Sequence, residues 1–301
     1  MVSPTAQAAS DQTSPHRAER VALPSEHGQL AALSAVPRGA VATVLMVPGY
    51  TGSKEDFAPL LDAVADAGLG VVAIDLPGQY ESPGPPDETC YLPAALGPVL
   101  AGVVRRLDPQ PVILLGHSYG GLVCRAAVLA GARVAGLALL CSGPAALPDG
   151  VRRTLLDFAE AILRASGVHA VHRLREAADA SASLAPPSAE LAALMHRRFV
   201  DSTPPGLLGM AAGLRTEPDR VAELAAALRI TGTPCLVACG ESDDAWPAAL
   251  QRDMAARLGA PFATIQGAAH SPNVENPAAL LDLLVPACHG WLGAAPLAAR
   301  M

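Results

Sequence analysis

Residues Val112 to Val123 read VILLGHSYGGLV. A short uncharged apolar run, strand-like in composition, gives way to Gly116-His117-Ser118-Tyr119-Gly120, then Gly121 and a helix-forming run. This is G-x-S-x-G in the setting that gives it chemical meaning, with a strand before it and a helix after it. A serine held in a tight strand-to-helix turn adopts strained backbone angles, and side chains at the flanking positions would collide with neighbouring backbone. Glycines there let Ser118 project its hydroxyl from the sheet edge. The following helix sets its N-terminus, with unpaired N–H groups, beneath the same point. The plain alternative is a glycine-rich turn in which Ser118 only caps the helix. The residues downstream decide between the two.

Upstream of this stretch, Val41 to Val47 (VATVLMV) is another buried-strand run, halted by Pro48-Gly49-Tyr50-Thr51-Gly52-Ser53. Apolar residues at helical spacing predict a helix over 56–67, with Ser53 as its N-cap and Gly68 and Gly70 at its end. Gly70 to Ile74 is the next strand, closed by Asp75-Leu76-Pro77-Gly78. A Pro-rich loop over 79–90 and a helix over 91–107 lead back to Val112, despite Pro93 and Pro98. Nearer the N-terminus, strands over 20–23 and 29–36 flank a hairpin turn at Ser25-Glu26-His27-Gly28. Downstream, helix 120–130 and strand 134–141 continue the alternation. At Ser142-Gly143-Pro144 the rhythm breaks, and residues 145–229 carry short helical patterns punctuated by Pro148, Pro186-Pro187, Pro204-Pro205 and Pro218. Strand 234–239, helix 247–258, strand 261–265 and helix 276–290 then restore it. Such alternation predicts a mostly parallel sheet with helices on both faces. The expected division is a disordered segment 1–19, a core built from 20–144 and 230–301, and a helical insert 145–229.

Half of the 301 residues are apolar (51%) but only 3% are aromatic, so the core must be Ala, Leu and Val. A formal charge of −7 lacks the basic stripe that nucleic acid requires. The six cysteines (Cys90, Cys124, Cys141, Cys235, Cys239, Cys288) form no C-x-x-C and lie mainly in apolar runs. They read as buried free thiols in a reducing compartment. The first fifteen residues lack the basic and apolar regions of a signal peptide, and no apolar run reaches the ~18 residues of a membrane span. The expectation is a soluble cytoplasmic protein.

A serine hydroxyl is a poor nucleophile until a base takes its proton, and the base needs a partner that fixes its tautomer. An acid and a histidine just past two strands would be gathered with Ser118 at the sheet's C-terminal edge. Gly240-Glu241-Ser242-Asp243-Asp244 follows strand 234–239, and Gly267-Ala268-Ala269-His270-Ser271-Pro272 follows strand 261–265. The order is Ser, Asp, His. Two adjacent acids, Asp243 and Asp244, compete for the middle position.

With PGYTGS, GHSYGG, GESDDAWP and GAAHSPNVENP in this order over residues 20–290, the chain resembles the α/β-hydrolase superfamily with a helical lid. That resemblance implies an α/β-hydrolase fold, Ser118 as nucleophile, His270 as general base and Asp243, in the G-x-x-D position, as the acid. It implies an oxyanion hole from the backbone N–H groups of Tyr50 and Tyr119. Many relatives carry His-Gly where this chain has Pro48-Gly49, so what anchors that loop is left open. His117 is the variable position of its motif, while His169, His172 and His196 are expected on the surface of insert helices. No histidine–carboxylate grouping shows the local spacing of a zinc site, and no metal or cofactor is called for. Phe158, Met195, Phe199 and Met210 are expected to line an apolar cleft under the lid.

The function these features predict is hydrolysis of carboxylic esters with small to medium lipophilic acyl groups, through an acyl-enzyme on Ser118. The partner is a small-molecule acyl substrate. Within the superfamily, an aminopeptidase releasing N-terminal proline would need a lid carboxylate such as Glu160, Glu176, Glu190 or Glu217. A cofactor-free haloperoxidase (perhydrolase) is a further member to weigh. A non-catalytic accessory protein on the same scaffold is the reading from another class, opposed by the intact Ser, Asp and His. Epoxide and haloalkane hydrolases are disfavoured because they carry Asp where Ser118 stands.

Overall fold

The apolar runs become the inner strands of one eight-stranded sheet. The computed structural model describes residues 11–181 and 187–293. Its strands are β1 (Glu19–Ser25), β2 (Gly28–Ala35), β3 (Thr43–Val47), β4 (Gly70–Ile74), β5 (Val112–His117), β6 (Gly136–Leu140), β7 (Cys235–Gly240) and β8 (Phe262–Ile265). They lie in the order β1-β2-β4-β3-β5-β6-β7-β8. The β1–β2 and β2–β4 pairs are antiparallel, and every other pair is parallel. Every residue of β3 to β7 is buried, which is why these strands read as unbroken apolar runs.

The helices are α1 (Ala58–Asp66), α2 (Pro93–Arg106), α3 (Tyr119–Leu129), α4 (Val151–Ser166), α5 (Val168–Ser181), α6 (Ala189–Val200), α7 (Pro204–Thr216), α8 (Val221–Thr231), α9 (Ala248–Leu258), α10 (Pro272–Glu275) and α11 (Pro277–Gly293). Successive strand residues point to opposite faces. Leu45, Val47, Leu114 and Leu139 therefore meet Leu100, Leu122, Leu224 and Met254 of α2, α3, α8 and α9. Val44, Met46, Ile113 and Leu115 meet Leu60, Val64, Leu280 and Leu284 of α1 and α11 on the other side. The architecture is the expected α/β-hydrolase fold, helices on both faces included.

Among the described residues, helices α4 to α8 run between β6 and β7. The last two join the main core through Met210, Leu214 and Leu224. Leu163 of α4, Val171 of α5 and Phe199 of α6 instead form a small cluster with Leu207 and Leu208, and Tyr50 packs against it.

Local differences from expectation have simple causes. The helix predicted over 56–67 begins with a short 3-10 turn, Lys54–Phe57, and Ser53 serves there through its N–H, which donates to Asp56 Oδ2 (3.2 Å). The helix predicted over 276–290 is present as α11, and a further short helix, α10, precedes it, separated from it by Asn276 with its extended φ of −149°. Of the segment expected to be disordered, residues 1–10 lie outside the described residues. Residues 11–18 instead run against α1, where the Arg17 N–H donates to Asp62 Oδ1 (2.9 Å) and its guanidinium to Asp66 Oδ1 (2.6 Å). Pro186, expected as an insert breaker, is also outside the described residues. Among those described, no helix is long and apolar enough to cross a membrane.

Candidate active site

The end of β5 and the start of α3 meet at Ser118, which takes φ +54° and ψ −119°. A non-glycine residue holds such angles only where its surroundings impose them. Here they do: the Ser118 N–H donates to the Leu140 carbonyl of β6 (2.8 Å), and a Cβ on Gly120 would stand 2.2 Å from the Val47 carbonyl oxygen. The neighbouring strand comes so close that only glycine fits, and the serine hydroxyl is turned outward.

Two further strand ends deliver the other groups. The loops after β7 and β8 are joined by the Glu241 N–H to Ile265 and Ser242 N–H to Ala268 bonds, both 3.0 Å. His270 thereby stands between Ser118 and Asp243. Its Nε2 is 3.0 Å from Ser118 Oγ, and its Nδ1 is 2.8 Å from Asp243 Oδ1. A carboxylate accepts, so Nδ1 carries the proton and Nε2 offers its lone pair to the Ser118 O–H. Asp243 has no exposed side-chain surface. Burial alone would push its carboxyl up, but His270, the Ala245 N–H (2.9 Å) and Gln251 Nε2 (2.8 Å) outweigh that and hold it below the usual carboxylate range. Asp244 points elsewhere: it is exposed and pairs with Arg152 of α4 (2.6 Å). Of the two acids, it is Asp243 that hydrogen-bonds the imidazole.

The loop after β3 brings Gly49 against the serine, where a Cβ would come within 3.0 Å of Ser118 Cβ. Its anchor is Gln79, a buried side chain that sequence reasoning did not single out. Gln79 Nε2 donates to the Gly49 carbonyl (2.8 Å) while its Oε1 accepts from the Leu76 N–H (3.0 Å). Because a trans peptide sets C=O and N–H in opposite directions, fixing the Gly49 carbonyl also fixes where the Tyr50 N–H points. The second N–H expected to act there, that of Tyr119, is the first residue of α3. The phenol of Tyr119 is buried and donates to the Tyr91 carbonyl. Farther along the loop, Lys54 is fully buried between Asp75 (2.9 Å), Glu55 (3.0 Å) and Glu81 (2.7 Å). Burial pulls its ammonium pKa down, yet the carboxylates of Asp75 and Glu55 more than compensate and keep it charged.

His117 has more to do than its variable motif position indicates. Its Nε2 lies 2.7 Å from the His270 carbonyl oxygen, so Nε2–H donates and Nδ1 is left bare and buried. Burial, with the His270 ring beside it, brings the His117 imidazole down to about 4. A base whose folded value is depressed stabilises the fold fully above its unfolded value and progressively less as pH falls toward the folded one. The stability against urea is therefore expected to fall by roughly 3 kcal/mol between about pH 6.5 and pH 4 from this group. His117→Gln should flatten that part of the profile; an unchanged slope would contradict the assignment.

Above Ser118 opens a cavity of about 610 Å³, which Tyr50, Ser118 and His270 face from one side and α4, α5 and α6 from the other. Leu155, Phe158, Ile162, Met195 and Phe199 make most of that far wall apolar, in agreement with three of the four expected lining residues. Met210 is not among them. It is buried in the main core, its sulfur 3.7 Å from Gln79 Nε2, because that face of α7 turns toward the sheet. Among the described residues, the charged groups in the wall are Arg152, Arg175, Arg198 and one carboxylate, Asp56, which is bound to Arg198. None of the four candidate lid carboxylates lines it. Glu217 is buried against Arg125 (2.7 Å), Glu160 binds Arg164 and Arg215, Glu176 faces His172, and Glu190 is exposed on the first turn of α6.

Among the described residues, three groups bring metal-capable side chains within 4.8 Å of one another. Two are built on His270, with His117 and Cys141 or with Asp243 and Asp244, and both of its ring nitrogens are already hydrogen-bonded. The third is His172, Glu176 and His196. It corrects two expectations: His172 is buried rather than on the surface, and its spacing to Glu176 is one helical turn. The third partner lies on α6, which spacing along the chain could not reveal.

The chain belongs to the alpha/beta hydrolase family, whose family model matches residues 44–283. No curated protein sequence matches it. Among solved structures it is similar to an esterase from Exiguobacterium antarcticum, with 19% identity, 90% of this chain and 100% of that chain covered, and a TM-score of 0.73. It is also similar to a thermophilic esterase from Thermogutta terrifontis (23% identity, 91% and 98% covered, TM-score 0.67). A third similar structure is an N-acyl homoserine lactonase mutant complexed with N-hexanoyl homoserine (20% identity, 91% and 97% covered, TM-score 0.64). At these identities the likeness speaks for the fold, and the reaction has to be argued from the site.

Proposed function

We propose that this protein is a serine hydrolase that cleaves carboxylic esters carrying small to medium lipophilic acyl groups. The observation that carries the reading is the chain of two hydrogen bonds from Asp243 through His270 to Ser118, at 2.8 and 3.0 Å, opening on an apolar cavity. His270 Nε2 takes the Ser118 proton as Oγ adds to the ester carbonyl. The N–H groups of Tyr50 and Tyr119 receive the charge that develops on the carbonyl oxygen, each typically worth ~10²–10³ in turnover. His270 then returns the proton to the leaving alcohol, and a water activated by the same nitrogen releases the acid from Ser118. Asp243 holds the tautomer and balances the imidazolium.

The helices α4 to α6 act as the lid of this site. A cavity of about 610 Å³ lies within the range of small-ligand pockets, ~300–1,000 Å³. Arginines in its wall disfavour a substrate ammonium, which argues against release of N-terminal proline. Six unpaired thiols, five of them buried, support a reducing cytoplasmic setting. The test is a p-nitrophenyl ester panel of increasing acyl length run beside prolyl-p-nitroanilide. Turnover is expected for short and medium acyl esters with a fall at long chains, and none for the anilide. The opposite preference would replace esterase by aminopeptidase.

A further inference from the structure

Outside the proposed reaction centre, the helices over the cavity carry a second cluster of ligating side chains. His172 and Glu176 stand one turn apart on α5, and His196 meets them from α6. One ligand atom of each lies within 4.8 Å of the other two. The His172 and His196 rings meet edge to face, with centroids 4.5 Å apart. His172 Nδ1 stands 3.3 Å from Glu176 Oε2, yet it is buried and makes no hydrogen bond. A buried nitrogen that faces a carboxylate without completing a hydrogen bond is uncommon. An imidazole nitrogen not committed to a hydrogen bond is free to ligate a metal ion.

We propose that His172, Glu176 and His196 form a binding site for a divalent transition metal ion of the Zn²⁺ type. Imidazole and carboxylate suit such an ion, and tetrahedral bonds of ~2.0–2.2 Å place ligand atoms ~3.4 Å apart. Reaching that spacing from the present one needs rotation of His196 and Glu176, both exposed. His169, one turn before His172, has its ring 6.4 Å from that of His196 and stands outside the group of three, so the remaining coordination position is left to solvent. Arg175 opposes a cation here, so the Glu176 charge is essential to the site. The consequence reaches the cavity. Val171 and Arg175 of α5 and Met195, Arg198 and Phe199 of α6 belong to its wall, and the His172 ring packs 5.7 Å from that of Phe199. A bound ion fastens together two of the helices that roof the site.

The test is titration of the chelator-stripped whole chain with ZnCl₂ in competition with a chromophoric zinc indicator. It is run on the wild type, His196→Gln, Glu176→Gln and His270→Ala. One Zn²⁺ per chain is expected, with affinity at least tenfold weaker in His196→Gln and Glu176→Gln and unchanged in His270→Ala. Amide exchange in α5 and α6 should slow when zinc is added. Both lid substitutions are at exposed positions, and their melting curves verify folding. Absence of zinc binding would reduce the cluster to an ordinary histidine–glutamate pair. Binding lost only in His270→Ala would put the ion beside Ser118. Either result overturns the proposal and leaves the hydrolase reading untouched.

Discussion

Ser118→Ala is expected to lower ester turnover by about 10⁴–10⁶-fold while leaving the thermal midpoint almost unchanged. The two halves of that statement have separate causes. Turnover falls because His270 Nε2 has no alcohol to deprotonate, so no acyl-enzyme forms and only donor groups and binding are left to act on the substrate. Stability holds because the hydroxyl contributes one hydrogen bond, to His270 at 3.0 Å, and such a bond is worth about 1 kcal/mol net. The backbone bonds that define the turn do not involve Oγ. Steady-state assays with a p-nitrophenyl ester and a melting curve check both. Residual activity within tenfold of wild type would mean that another group is the nucleophile.

Asp243→Asn is expected to cost about 10⁴-fold in kcat, and Asp244→Asn less than tenfold. The asparagine can keep the shape of the site but offers an amide where a carboxylate accepted from Nδ1–H. His270 is then free to adopt the tautomer that blocks its Nε2, and the imidazolium loses its counter-charge. Asp244 has no such connection. Its partner is Arg152, both side chains are well exposed, and pairs of that kind contribute about 0–1 kcal/mol. Removing it would loosen the attachment of α4 to the loop after β7 and act, if at all, through substrate binding. The same assay on both variants decides, and the reverse ranking would assign the acid to Asp244.

The contrast between these neighbours shows what could be read without coordinates. Strand ends close to Val47, Leu115, Cys239 and Ile265 are legible because buried parallel strands are apolar runs, and the glycine- and proline-rich turns after them are as plain. Those turns hold Ser118, His270 and the adjacent acids Asp243 and Asp244, so the candidate residues of the site could be listed from their places in the chain, and the family resemblance chose Asp243. Their supports could not. Gln79 holds Gly49 from 30 residues away, and His117 meets the backbone of a residue 153 positions on. A glutamine in a Pro-rich loop and a variable histidine give no signal until folding brings their partners to them. Met210 failed for a related reason. Helical periodicity says which residues share a face, but α7 offers apolar residues to the sheet as well as to the cavity. His172 was missed because the apolar face of α5 is covered by α6, a contact between helices that spacing within either one cannot express.

The central claim is that Ser118 is an activated nucleophile, and labelling with a fluorophosphonate probe tests it most directly. Incubated with the folded protein, the probe should leave one adduct, found by mass spectrometry on the peptide containing Ser118. That adduct should be absent from Ser118→Ala and strongly slowed in His270→Ala. A folded protein that takes up no probe, or takes it up on a different residue, would contradict the account.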